Sequence, residues 1–107
     1  MENNNEYIMV IATCSEKEMA KAIAKSLVEK RFAACVQMFP IESVYLWEGN
    51  ICDGSEIALL IKSKATMFDQ IVETVKANHD YEVPEIIQIP ITGGLLEYLE
   101  WIHQSTV

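Results

Sequence analysis

Residues 84–91 read PEIIQIPI, an apolar run that begins at Pro84 and meets a second proline, Pro90, near its far end. A proline has no N–H to give to a strand ladder, so such a run suits a sheet margin, a strand end or a bulge, not a sheet centre. Working outward, residues 32–47, FAACVQMFPIESVYLW, form another strand-like run, and Pro40 puts it under the same restriction. The runs YIMVIAT (7–13) and EIALLIK (56–62) hold no proline and are almost continuously apolar. That pattern predicts strands covered on both faces. The first and third strands are therefore expected in the centre, with the fourth and second outside them, in the order 4-1-3-2.

Helical signals lie between these runs. Ser15-Glu16-Lys17-Glu18 has the spacing of a capping box, and Ala20, Ile23, Ala24, Leu27 and Val28 follow at helical spacing. Lys30 and Arg31 suit the negative end of that helix. A second helix is expected over about residues 66–78, with Phe68, Ile71, Val72 and Val75 as its stripe. After Gly93-Gly94, LLEYLEWI (95–102) reads as a short closing helix anchored by Tyr98 and Trp101. Gly49-Asn50 is a two-residue hairpin signal, and Asp53-Gly54 is a second candidate turn or a bulge. The order βαββαβ plus a C-terminal helix predicts an α+β, ferredoxin-like sandwich with an antiparallel sheet. It forms one domain over residues 1–107, with residues 1–6 expected to be disordered.

Composition narrows the function. Sixteen Asp and Glu against eight Lys and Arg give a formal charge of -8. Without a basic cluster, nucleic acid and anionic membrane are poor partners. No apolar run approaches the ~18 residues of a membrane span. The start, MENNNEY, is polar and acidic, unlike the basic and apolar regions of a signal peptide. Three cysteines, odd in number and without CxxC spacing, predict reduced thiols in a cytoplasmic protein. Gly-rich phosphate loops, HExxH and Gly-x-Ser-x-Gly are absent from the sequence.

A monomer does not account for two features. Two helices cover one face of a four-stranded sheet, yet the central strands read as apolar on both faces, and monomers avoid large exposed apolar patches. Residues 33–47 as one strand would also extend about 50 Å at ~3.3 Å per residue. A domain of this size has a radius of gyration of only about 13 Å. The hairpin is expected to bend at Pro40 or to reach past its own domain onto a neighbour.

The segments LVEKRFAACVQ (27–37), VYLWEGNI (44–51), HDYEVPEIIQIPI (79–91) and YLEWI (98–102) together resemble the CutA divalent-ion tolerance family. The likeness runs from about Tyr7 to Ile102. It implies a ferredoxin-like homotrimer, similar in architecture to the PII signalling proteins. It also implies a non-enzymatic role in tolerance of copper and other divalent cations. The family usually has HPYEVPEI; here Asp80 stands in place of that proline. In some relatives copper is assigned to a cysteine at the end of the first strand and to two adjacent histidines. The matching positions are Ala12, Asn78 and His79, so His79 alone keeps its ligand type, while Cys14 lies two residues past the cysteine position.

The candidate metal ligands are accordingly His79 through an imidazole nitrogen, Glu82 and Glu85 (or Asp80) through oxygen, and Cys14 through sulfur. The bland alternative for His79 is a histidine favoured by the dipole at a helix C-terminus. Cys14, at a strand-to-helix junction, is the more reactive thiol candidate, Cys35 a small buried hydrophobe, and Cys52 an exposed thiol. Tyr45 and Trp47 share a strand face and are expected at a subunit interface, while His103 is expected in solvent. The leading expectation is a trimer that weakly binds a divalent cation such as Cu(II) or senses a small molecule. Its rivals are a PII-like adaptor that binds a small ligand and a protein partner, and an enzyme with Cys14 or Cys35 as nucleophile and His79 as base.

Overall fold

A computed structural model describes residues 6–107. The expectation of disorder over residues 1–6 lies outside that range, save for Glu6 in a turn. The elements are β1 (Tyr7–Cys14), α1 (Lys17–Glu29), β2 (Cys35–Trp47), β3 (Asn50–Lys64), a 3-10 turn (Ala65–Met67) that leads into α2 (Phe68–Ala77), β4 (Ile86–Ile91) and α3 (Leu96–Ser105). The sheet is antiparallel with the order β2-β3-β1-β4, which is 4-1-3-2 read backwards. The prolines sit where a missing donor is tolerated. Pro40 lies in the outer strand β2 and Pro90 in the outer strand β4, opposite Ile8, while Pro84 precedes β4.

Register assigns the two faces. Ile8, Val10, Ala12 and Cys14 of β1 align with Ser63, Ile61, Leu59 and Ile57 of β3. This face packs on Ala20, Ile23 and Leu27 of α1 and on Ile71 and Val75 of α2, and the five helix residues are all buried. The opposite face carries Met9 and Ile11 of β1, Ala58 and Leu60 of β3, Phe39 of β2, and Ile87, Ile89 and Ile91 of β4. One end of it lies beneath α3, whose Ile102 is fully buried. The C-terminal segment is tied down there by the Arg31 guanidinium, which donates to the Gln104 carbonyl at 2.9 Å, and by the Val107 N–H on the Arg31 carbonyl at 2.9 Å. The rest of that face is open: Phe39 is 44%, Ile87 48% and Ile89 37% exposed.

β1 pairs only with residues 57–64 of β3, whereas β2 pairs with β3 along its whole length. Residues 41–47 and 50–56 therefore leave the sheet as a two-stranded arm, and the molecule measures 44 × 31 × 21 Å. The hairpin does not break at Pro40.

Several local expectations change. The Ser15 side chain does not cap α1; Glu16 is the N-cap and no side chain bonds there. The turn is Glu48-Gly49, one residue earlier than expected, with φ of 51° and 82°. Positive φ at both central residues is the type I′ geometry that matches strand twist. Asp53-Gly54 makes no turn; it continues β3 opposite Val44 and Ser43. Val28, expected in the core, is 43% exposed. Tyr98 and Trp101 stay at the surface, packed on each other at 5.5 Å between rings, so Ile102 is the anchor of α3.

Candidate functional site

Strand β1 ends at Cys14, β3 continues past it into the arm, and the chain between α2 and β4 crosses nearby. The junction of these three segments forms a cleft of about 810 Å³. Thr13, Ser43, Tyr45, Trp47 and Glu56 have the parity of the open sheet face, so they form the floor. Asp80, Tyr81, Glu82, Val83 and Glu85 of the loop form the opposite wall. Five carboxylates line the cleft, those of Glu42, Glu56, Asp80, Glu82 and Glu85, and none of its lining residues is Lys or Arg.

His79 stands behind this wall. Its side chain is only 1% exposed, not the accessible loop imidazole the sequence suggests. Nε2 lies 2.5 Å from the Thr13 carbonyl, to which it donates. Nδ1 accepts the Tyr81 backbone N–H at 3.1 Å. These two bonds define a neutral imidazole with its proton on Nε2. The Asp80 carboxylate is 3.8 Å from Nδ1, and the Tyr81 ring meets the imidazole edge-on at 4.6 Å between centroids.

Tyr81 turns its phenol the other way. Its O–H donates to Glu56 Oε2 at 2.7 Å, while Ser43 Oγ donates to Glu56 Oε1 at 2.7 Å. Burial, and then the Glu56 carboxylate, push the Tyr81 phenol well above its ordinary pKa. Ser15 Oγ, released from its expected cap, donates to Asp80 at 3.3 Å.

The sequence candidates separate into groups. Glu82, Glu85, Tyr45 and Trp47 line the cleft; His79 and Cys14 do not. Cys14 is buried, and its S–H donates to the Glu16 carbonyl at 3.5 Å. Burial raises its thiol pKa, opposite to the lowering expected at a helix start. Neither nitrogen of His79 meets a thiol, so the Cys–His pair required by the enzymatic rival is not formed. Among the described residues, no group of three or more His, Cys, Asp and Glu side chains converges to hold a metal ion. Glu56 escaped the sequence reading. Its only signal was a single carboxylate at the head of the apolar run EIALLIK, where the arm leaves the sheet.

Residues 8–105 match the profile of the family described as CutA1 divalent ion tolerance protein. The chain is 48% identical over 100 residues to Protein CutA 1, chloroplastic, of Oryza sativa, which covers 92% of this chain and 56% of that protein. It thus spans about half the length of the plant relatives. It is 43% identical to the divalent-cation tolerance protein CutA of Thermus thermophilus, covering 92% of this chain and 96% of the relative. The solved Thermus thermophilus structure superposes with a TM-score of 0.92 at 42% identity, over 94% of this chain and 99% of that one. The Archaeoglobus fulgidus CutA structure gives 0.91 at 41%, over 92% and 97%.

Proposed function

The chain belongs to the CutA1 divalent ion tolerance family, and from that premise we propose that it is a non-enzymatic, trimeric protein whose cleft attracts a divalent cation. The observation that carries this reading is the lining of five carboxylates without a basic side chain. A concave surface of one sign focuses potential and raises the local concentration of counter-ions. Glu82 and Glu85, on the loop side of the cleft wall, are the oxygen ligands of this proposal. His79 adds a nitrogen only if it surrenders the Tyr81 N–H, and Cys14 is shielded by burial. The available donors are thus oxygens, which suit hard cations such as Mn(II) better than copper. The affinity is correspondingly weak. Calorimetric titration with Mn(II) and with Cu(II) at neutral pH tests this. Glu82→Gln/Glu85→Gln should lower the affinity several-fold, and an unchanged isotherm for both ions would overturn the reading.

The open sheet face supports the assembly half of the proposal, because Phe39, Ile87 and Ile89 would leave water on contact with other copies. The cleft floor continues that face, so a neighbouring copy would border the site. Three free cysteines fit a reducing, cytoplasmic location. An adaptor that binds a nucleotide is the weaker reading, since the cleft has room for one but its charge repels phosphate.

A further inference from the structure

We propose that the Tyr81 phenol is a latch on Glu56 that closes the loop of residues 79–85 onto the root of the arm, and that a divalent cation taking Glu56 opens it. The opening step rests on the cation reading above; the latch does not.

The loop has little else to hold it. Residues 80–85 carry no strand or helix. Among the described residues, two hydrogen bonds tie them to elements beyond α2 and the loop itself. One is Tyr81 O–H to Glu56 at 2.7 Å; the other is the exposed Ser15–Asp80 contact at 3.3 Å. The first is charge-assisted and half-buried, hence the stronger. At the base of the loop, His79 is fixed on Thr13 and receives the Tyr81 N–H, so the tyrosine is pinned by its backbone and by its hydroxyl. Glu56 is fixed in turn by Ser43 from the neighbouring strand of the arm.

Glu56 also lines the cleft. A cation on this carboxylate draws off the negative charge that the phenolic proton faces, and its own charge repels that proton. An attractive charge-assisted bond becomes unfavourable, and Tyr81 leaves. The loop carries Glu82 and Glu85, so release repositions two further cleft carboxylates. Occupancy of the cleft is thereby converted into a change of shape beside the open sheet face.

Hydrogen exchange read by mass spectrometry on a peptide spanning residues 78–85 tests both steps, with thermal melts to check that the variants fold. Without cation, Tyr81→Phe and the isosteric Glu56→Gln should each speed exchange several-fold, and the double variant should exchange no faster than the quicker single one. Exchange as slow as wild type in both single variants would overturn the latch. Saturating Mn(II) should then speed exchange in wild type toward the level of the variants and leave the variants unchanged. Mn(II) that binds by calorimetry yet leaves wild-type exchange unchanged would overturn the opening step while sparing the cation reading. No binding heat would overturn the cation reading and the opening step together, with the latch judged by the variants alone.

Discussion

Both ring nitrogens of His79 are engaged with backbone, one with the Thr13 carbonyl and one with the Tyr81 N–H. Truncation strands two polar groups, each costing about 1–3 kcal/mol if it stays dry. We expect His79→Ala to lose at least about 2 kcal/mol of unfolding free energy in urea. His79→Gln, which can restore one bond, should lose less. A surface residue of a solvated turn would change stability by about 0.5 kcal/mol or less. The pair Tyr81–Glu56 gives a pH prediction. The folded state raises the phenol pKa, so the fold binds this proton more tightly than the unfolded chain does. Its stabilisation is complete below the ordinary tyrosine pKa near 10 and is lost as pH rises above it. Urea unfolding at increasing alkaline pH should show a decline that is shallower in Tyr81→Phe. The raised thiol pKa of buried Cys14 likewise predicts that maleimide labels the more accessible Cys52 first. The stretch HDYEVPEII reads as a loop with candidate ligands, and in the structure Glu82 and Glu85 line the cleft. It does not reveal depth. Whether an imidazole faces water or a carbonyl depends on where β1 ends, which is a tertiary fact.

Among the elements, the sheet order was legible because proline acts through one missing donor, and Pro40, Pro84 and Pro90 each rule out a central strand locally. Turn and cap were less legible because they depend on competition. Ser15 meets the geometry of a cap in sequence, yet its hydroxyl goes to Asp80, a residue 65 positions away. At the hairpin tip, the sequence Glu48-Gly49-Asn50 offers two registers, and the strand pairing Trp47 to Asn50 selects Glu48-Gly49. A non-glycine residue with φ of 51° is thus held at Glu48. Glu48→Asn should stabilise the protein by about 0.5 kcal/mol, since asparagine tolerates the left-handed region better. Gly49→Ala should cost about 1 kcal/mol, because a Cβ is disfavoured at φ of 82° even though it meets no atom within 4 Å. Thermal or urea melts check both, and a neutral Gly49→Ala would mean that the turn relaxes freely.

At the scale of the whole molecule, α1 and α2 bury one sheet face and α3 one end of the other, which leaves Phe39, Ile87 and Ile89 in water beside the arm. The imbalance was legible in the sequence, since two helices cover one face of a sheet whose central runs, residues 7–13 and 56–62, are apolar on both. Register in the structure adds Ile87, Ile89 and Ile91 to the open face and Ile86 and Gln88 to the helix face. The number three came only from the resemblance, because an apolar face demands cover but does not count copies. Each half-exposed Ile or Phe that the assembly buries should contribute about 1 kcal/mol. A lysine at such a place would be desolvated without a partner. Ile89→Lys should therefore dissociate the proposed trimer, with little change in the unfolding free energy of the separate chain. Trp47→Ala, at the arm, should weaken assembly while leaving the sheet intact, whereas Lys25→Glu on the exposed side of α1 should do neither. Sedimentation velocity across a dilution series distinguishes the cases. A wild-type mass of one chain would remove the assembly altogether. Trimers of unchanged stability in Ile89→Lys would mean that the copies meet elsewhere and that the open face of β4 serves another purpose.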